Sequence, residues 1–295
     1  MARQKWKRNW YIYVVTFIVA SFIAALTVSA LWDTFFPEKA ETVYSGGVTT
    51  SLPDATNNMT ALVMLSEYKG GAPEHFSIVN YRPGEEIIMC VPLKNETAMK
   101  LGSSTSSLSS VYIHNGIAGV TYAIEATLGV KCDFYVKFDK SSFIDLVDET
   151  GTITINIPYD IPDEKGDLLF KSGSHSLDGA ELFEYLYLQK TTPDNDYKSV
   201  VVGSIETAFF NSSLKNLSAT VFQSLATKII NTTDTNFTLE EYRKRQQAIL
   251  FTSESSLNPA QYYIPYGEYD ANGLFVVADN SVATLRERLG VEAEG

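Results

Sequence analysis

The longest apolar stretch of the chain runs from Trp10 to Leu31, 22 residues without a charged side chain. At 1.5 Å rise per residue it reaches about 33 Å, enough to cross a bilayer's hydrocarbon core. Aromatic residues stand at both ends, Trp6, Trp10, Tyr11 and Tyr13 before it and Trp32, Phe35 and Phe36 after it, where amphipathic rings favour the headgroup level. The pattern predicts a transmembrane helix over residues 10–32, a tail at 1–9 and a polar linker at 33–57 containing Gly46-Gly47 and Pro53. Arg3, Lys5, Lys7 and Arg8 precede the first acidic residue, Asp33, so the positive-inside rule puts the tail in the cytoplasm and the remainder outside the cell membrane. A signal peptide cut after Val28-Ser29-Ala30 is the competing reading, and the length of the apolar run argues against it.

Beyond the linker the period of the pattern changes. Short apolar, β-branched runs at Ala61–Leu65, Phe76–Tyr81, Ile87–Val91, Phe134–Phe138 and Thr152–Ile157 read as strands. Between them Ile117, Val120, Ile124 and Leu128 recur at helical spacing before Gly129, as do Phe143, Ile144 and Val147 before Gly151. Strands alternating with helices predict an α/β domain over residues 58–290, followed by a short tail at 291–295. Asp178 with Glu181, and Thr238 with Glu241, have capping-box spacing and announce two later helices. Apolar-periodic segments at Val200–Phe210 and Leu217–Ile230 add two more, and a strand pair, Gln261–Ile264 with Leu274–Ala278, precedes a last helix ending at Gly290. Ser103–Ser110, nearly all Ser and Thr, reads as a flexible loop.

Composition narrows the function. The chain of 295 residues is 45% hydrophobic, ample for a packed core, and its net charge of −12 disfavours a nucleic-acid partner. Four of its 23 basic residues lie in the N-terminal tail, so the domain is more acidic still. Cys90 and Cys132 sit inside apolar runs and read as small buried hydrophobes, with one disulfide as the alternative. No Cys/His spacing suggests a metal. The acidic loop Asp160, Asp163, Glu164 and Asp167 lacks the spacing of a calcium loop and reads as a turn. His75, His114 and His175 have no nucleophile in motif context. Arg243, Lys244 and Arg245 form the densest basic patch outside the N-terminal tail.

Three phrases, in order, resemble a known family. Gly129–Asp139 continues through Phe143–Val147 to Ile155-Asn-Ile-Pro158-Tyr-Asp160; Lys171–Gly173 leads through Leu177-Asp178-Gly179 to Tyr185; and Thr235–Leu239 is followed by Asp270–Val277. Together they are similar to the LytR-CpsA-Psr (LCP) family, membrane-anchored enzymes that move glycopolymers from a polyprenyl pyrophosphate carrier onto the cell wall of Gram-positive bacteria. The resemblance implies a three-layer α/β/α sandwich around a central mixed sheet. It also implies an elongated tunnel for a prenyl chain, with Ile117, Val120, Ile124, Leu128, Phe183 and Leu186 as candidate lining.

The family's transfer chemistry needs arginines and aspartates, which stabilise charge on non-bridging oxygens and hold Mg²⁺. In this chain those places fall at Ala72, Glu74 and His75, at Pro92-Leu93-Lys94, at Tyr187 and Gln189, and near Ser199 and Val202. Losing one such donor costs on the order of 10²–10³ in rate. The resemblance therefore implies a catalytically degenerate homologue, a pseudoenzyme of the cell envelope, with Glu74, Lys94, Tyr187 and Gln189 at the degenerate positions and no catalytic or metal residue assigned. Its expected partners are the membrane, a polyprenyl lipid, a wall glycopolymer or a membrane protein. The alternatives are an active phosphotransferase, with Glu74 holding Mg²⁺ and Lys94 contacting phosphate, and an interaction module with no cavity. Lys94, Lys190 and Lys198 are expected to be solvated loop lysines.

Overall fold

The computed structural model describes residues 52–163, 165–188, 195–215, 219–255 and 258–291. The expected tail, membrane helix and most of the linker lie outside these residues, as do Glu164, Gln189 and Lys190. Among the described residues no helix is long and apolar enough to cross a membrane.

The chain enters through β1 (Met59–Ser66), β2 (His75–Arg82) and β3 (Ile87–Leu93), turns through a hairpin of β4 (Ala98–Leu101) and β5 (Ser104–Ser107), and runs into helix α1 (Leu108–Leu128). Then come β6 (Phe134–Asp139), α2 (Lys140–Thr150), β7 (Ile153–Ile157), a small hairpin of β8 (Ile161–Pro162) and β9 (Leu168–Phe170), β10 (Gly173–Leu177) and α3 (Gly179–Leu188). Helices α4 (Asn195–Lys215) and α5 (Ala219–Thr232), strand β11 (Asp234–Thr235) and α6 (Leu239–Ser255) follow. The described fold closes with β12 (Ala260–Tyr262), β13 (Gly267–Tyr269), β14 (Phe275–Val277) and α7 (Asp279–Arg288).

Six strands form the central mixed sheet in the order β11-β6-β1-β2-β3-β12. β1 pairs antiparallel with β2, setting Val63 opposite Ser77, and parallel with β6, setting Val63 opposite Val136. Because side chains alternate along a strand, the sheet has two apolar faces to cover. On one, Leu62, Met64, Ile78, Met89 and Val91 pack against Leu108, Val120, Ile124 and Leu128 of α1 and Leu285 of α7. The other is covered by α2 to α6, with Leu65, Phe138, Leu146, Leu182, Ile205 and Leu225 in one cluster and Val79, Tyr81, Ile88, Leu214 and Ile249 in a second.

Caps hold the helices where the sequence announces them. Asp178 Oδ1 accepts from the Glu181 N–H at 2.9 Å, and Glu181 Oε2 accepts from the Asp178 N–H at 3.1 Å, a complete box. At α6 the Thr238 hydroxyl accepts from the Glu241 N–H at 3.3 Å, while the Glu241 carboxylate turns to Lys244 and Arg245. Asp139 forms a further box with Ser142 at the start of α2.

Several expectations change. The Ser/Thr run at 103–110 is not a loop: its backbone pairs with β4, and Ser107 caps α1 by accepting from the Ser110 N–H at 3.2 Å. The helix therefore starts at Leu108, nine residues before Ile117, and continues past Gly116, whose φ of 63° and ψ of −160° break the helical path. β12 does not pair with β14; it lies parallel beside β3, while β14 pairs with β13. β7 leaves the main sheet to pair with β10. Cys90 and Cys132 are free thiols packed in different clusters, Cys90 with Leu214 and Ile249 and Cys132 against the α1 core.

Gly129, at φ 67°, ends α1 in the left-handed conformation, and a Cβ there would collide with the Arg286 guanidinium. Arg286 Nε donates to the Leu128 carbonyl at 2.8 Å, so this contact ties α7 to the end of α1. Gly129→Ala is expected to cost about 2 kcal/mol or more, from left-handed strain plus displacement of Arg286. Urea unfolding of the two proteins measures the difference.

Candidate functional site: an apolar cavity under the sheet

Between the sheet and helices α2 to α6 lies a cavity of about 300 Å³. It follows β1 from Met59 to Leu65, about 20 Å at strand rise, with Phe134, Phe237 and Ile249 toward one end and His75, Phe143 and Leu186 toward the other. Protein interiors close-pack, so a space of this volume beneath a sheet departs from ordinary core packing. A space of this size makes the cavity the candidate binding site. Its walls suit hydrocarbon, and its volume takes about ten water-sized groups at ~30 Å³ each.

The end bearing His75 carries the polar chemistry. The Tyr187 ring meets the His75 ring edge-on at 5.9 Å and stacks on Phe183 at 4.2 Å. Its hydroxyl lies beside the Glu74 carboxylate, and burial, that approach and the charges of Glu74 and Glu67 push the phenol pKa up. The Glu74 segment is pinned from both sides: its N–H donates to the Leu65 carbonyl at 2.8 Å, and its carbonyl accepts from Asn95 Nδ2 at 2.9 Å. Glu74, His75 and Tyr187, far apart in sequence, are thus brought together, with two carboxylates acting on the phenol. Among the described residues no three His, Cys, Asp or Glu side chains converge as metal ligands.

The other degenerate positions are spread out. Lys94 is not a solvated loop lysine: it is 8% exposed, with its ammonium 3.7 Å from the centre of the Phe275 ring. Leu93 is buried in the α1 core on the opposite face of the sheet. Ala72 is exposed, Ser199 is buried, and Val202 lines the cavity. Gln189 lies outside the described residues.

The candidate lining divides in the same way. Leu186 is on the cavity wall, and Phe183 packs beside it against Phe143 and Tyr187. Ile117, Val120, Ile124 and Leu128 instead belong to the α1 core, away from the cavity. Their helical spacing specifies a buried face but carries no information about which side of the sheet it covers. The lining comes mainly from β1, β2, β6 and from α4 and α5, including Val202, Ile205, Phe209, Leu225 and Ile229.

One wall residue departs from this apolar character. Glu206 of α4 is half-buried in the cavity wall, its Oε2 is shielded from solvent with no hydrogen-bond partner, and burial of the carboxyl pushes its pKa up to about 8. The Ser77 hydroxyl approaches the carboxyl and favours its charged form slightly, without closing a well-directed bond. On β3 the buried Cys90 thiol is raised first by burial and then by Glu206. Sequence reading passed over Glu206, yet a signal was present: it falls four residues after Val202 and three before Phe209, on the apolar stripe of its helix.

The remaining constellations are structural. Asp163 Oδ1 accepts from the N–H groups of Lys165 and Asp167, forming a turn. His175 contacts the Lys171 carbonyl at 2.6 Å, and His114 is exposed. Arg245 pairs with Glu241 and covers the Phe134 ring, and Lys244 pairs with Glu240 and Glu241, so most of the basic patch is engaged within its own helix.

Comparison with known proteins agrees with this architecture. The sequence model of the LytR-CpsA-Psr family (LytR_cpsA_psr) matches residues 78–290. The polyisoprenyl-teichoic acid–peptidoglycan teichoic acid transferase TagV of Bacillus subtilis is 25% identical over 137 residues, 43% of this chain and 35% of that protein. TagU of Bacillus licheniformis, with the same transferase description, is 24% identical over 172 residues, 56% of this chain and 54% of that protein. The matches thus span about a third to a half of these relatives. Among solved structures, a protein from Eubacterium siraeum superposes with a TM-score of 0.75 at 21% identity, covering 84% of this chain and 99% of that one. B. subtilis TagV gives 0.66 at 20% identity, covering 79% and 95%. TagT bound to LIIa-WTA gives 0.61 at 15% identity, covering 79% and 89%.

The raised carboxyl makes a signed prediction. Between its ordinary value of 4.5 and about 8, the folded protein holds a proton on Glu206 that the unfolded chain has released. Stability of the wild type relative to Glu206→Gln is therefore expected to fall as pH rises through that window, at up to about 1.4 kcal/mol per unit, and to level off above it. Urea unfolding of both proteins from pH 5 to 9 measures this, and parallel curves would show that the carboxyl is solvated.

Proposed function

The chain belongs to the LytR-CpsA-Psr family, and we propose that within it this protein is a lipid-binding homologue that has lost the arginine-dependent transfer reaction. Its relatives are named as transferases acting from polyisoprenyl-linked teichoic acid onto peptidoglycan. In this reading the 10–32 segment anchors the domain outside the cell membrane, and the cavity beneath β1 holds part of an aliphatic chain. The observation that carries it is the pairing of an apolar cavity with an end group of Glu74, His75 and Tyr187.

A pyrophosphate at that end would meet Glu74 and Glu67, whose charges already oppose ionisation of Tyr187. Transfer needs bidentate guanidinium forks around the phosphates, and a lysine stacked on Phe275 cannot take their place. Apolar burial remains, at ~0.8 kcal/mol per CH₂. The chain of a lipid is held while its charged head is repelled. An interaction module without a cavity is disfavoured by the void itself.

Full-length protein in detergent, titrated with a prenol and with the matching prenyl pyrophosphate, is expected to bind the prenol more tightly. Tyr187→Arg, which places a guanidinium against Glu74 beside the cavity, is expected to raise pyrophosphate affinity about tenfold, the value of one charge-assisted bond. Tighter binding of the pyrophosphate by the wild type, or turnover of a lipid-linked sugar with Mg²⁺, would overturn the reading.

A further inference from the structure

An unpaired carboxyl in a hydrocarbon-lined space is expensive, and two facts make it more than a packing accident. Glu206 Oε2 and Ser77 Oγ, on opposite walls of the same cavity, are both buried without a hydrogen-bond partner. Each unsatisfied group costs about 1–3 kcal/mol. Ser77 lies two residues along β2 from His75, so the pair sits about 7 Å inside the polar end. No Lys, Arg or Asp is on the cavity wall among the described residues, and α2, α3, α5 and α6 face it with uncharged side chains. The titratable groups around the carboxyl are His75 and Tyr81 on β2, Tyr81 already bonded to Thr252 at 2.8 Å, and the Cys90 thiol on β3.

We propose that Glu206 and Ser77 form a hydrogen-bonding seat inside the cavity for the uncharged hydroxyl of a single-chain aliphatic lipid. A hydroxyl both donates and accepts, so it can accept a hydrogen bond from the neutral carboxyl or from Ser77 while donating one to the other oxygen. An anionic head would bring a second charge into a space with no cation to meet it, and a pure hydrocarbon would leave both groups unpaired. The seat therefore selects the head of the lipid as well as its chain. It works while the carboxyl is protonated; ionisation as pH rises through about 8 draws water in and weakens binding.

The proposal rests on the cavity being a lipid site, and the test separates the two. Decan-1-ol and undecane, equal in heavy-atom count, are competed against the neutral fluorophore N-phenyl-1-naphthylamine on the full-length protein at pH 6.5 and pH 9. The ratio of undecane to decanol dissociation constants is expected to be at least tenfold larger in the wild type than in Glu206→Leu at pH 6.5, with Ser77→Ala between them. Glu206→Leu should still bind undecane. Glu206→Gln, which keeps an uncharged donor and acceptor, should retain the alcohol preference and lose its pH dependence. An unchanged ratio in Glu206→Leu overturns the seat and leaves the lipid site standing. Failure of the wild type to bind probe, alkane or alcohol overturns both.

Discussion

β1 lies inside the sheet, paired on one edge with β2 and on the other with β6, so its apolar side chains must be covered on both faces. On one face α1 and α7 do this completely, and Leu62, Met64 and Ile78 are sealed. On the other, α4 to α6 span the sheet at a distance their side chains do not bridge, leaving the cavity along Ala61, Val63 and Leu65. The asymmetry between a filled face and an open one organises the rest of the molecule. It puts a filled core in the α1 layer and the cavity in the layer of later helices.

Electrostatics follows from the same division. In the filled layer the cations are spent on structure, as where Arg286 ties α7 to the end of α1. In the open layer Arg245 pairs with Glu241 and covers Phe134, and at the end of β3 Lys94 stacks on Phe275. What faces the cavity and its polar end is acidic or neutral: Glu74, Tyr187, His75, Ser77 and Glu206. A site so composed is suited to apolar chains with neutral heads, and its low-dielectric interior amplifies each unpaired polar atom it contains.

Much of the fold was legible because it is written locally. The five apolar runs each became a strand, and the Asp178 and Glu181 pair marks the start of α3 by satisfying backbone N–H groups within a few residues. The Ser/Thr run at 103–110 was misread because its strand is defined by backbone pairing to β4 and not by apolar side chains. For the site, the family resemblance led to Glu74, His75 and Tyr187. Leu93 proved to point into the opposite core, since neighbouring residues of a strand face opposite ways.

The sequence by itself determined the five apolar strands, the capping boxes that announce later helices, and that Val120, Ile124, Leu128, Phe183 and Leu186 are buried. Only the tertiary structure decided against which layer each of these faces packs. Helical periodicity records that a face leaves water but not what it meets, and the choice depends on contacts among segments more than fifty residues apart, such as β1, β6 and α4. For that reason the three α1 residues became filled core while Val202, Ile205 and Glu206, on a helix of the same apolar kind, came to line a cavity.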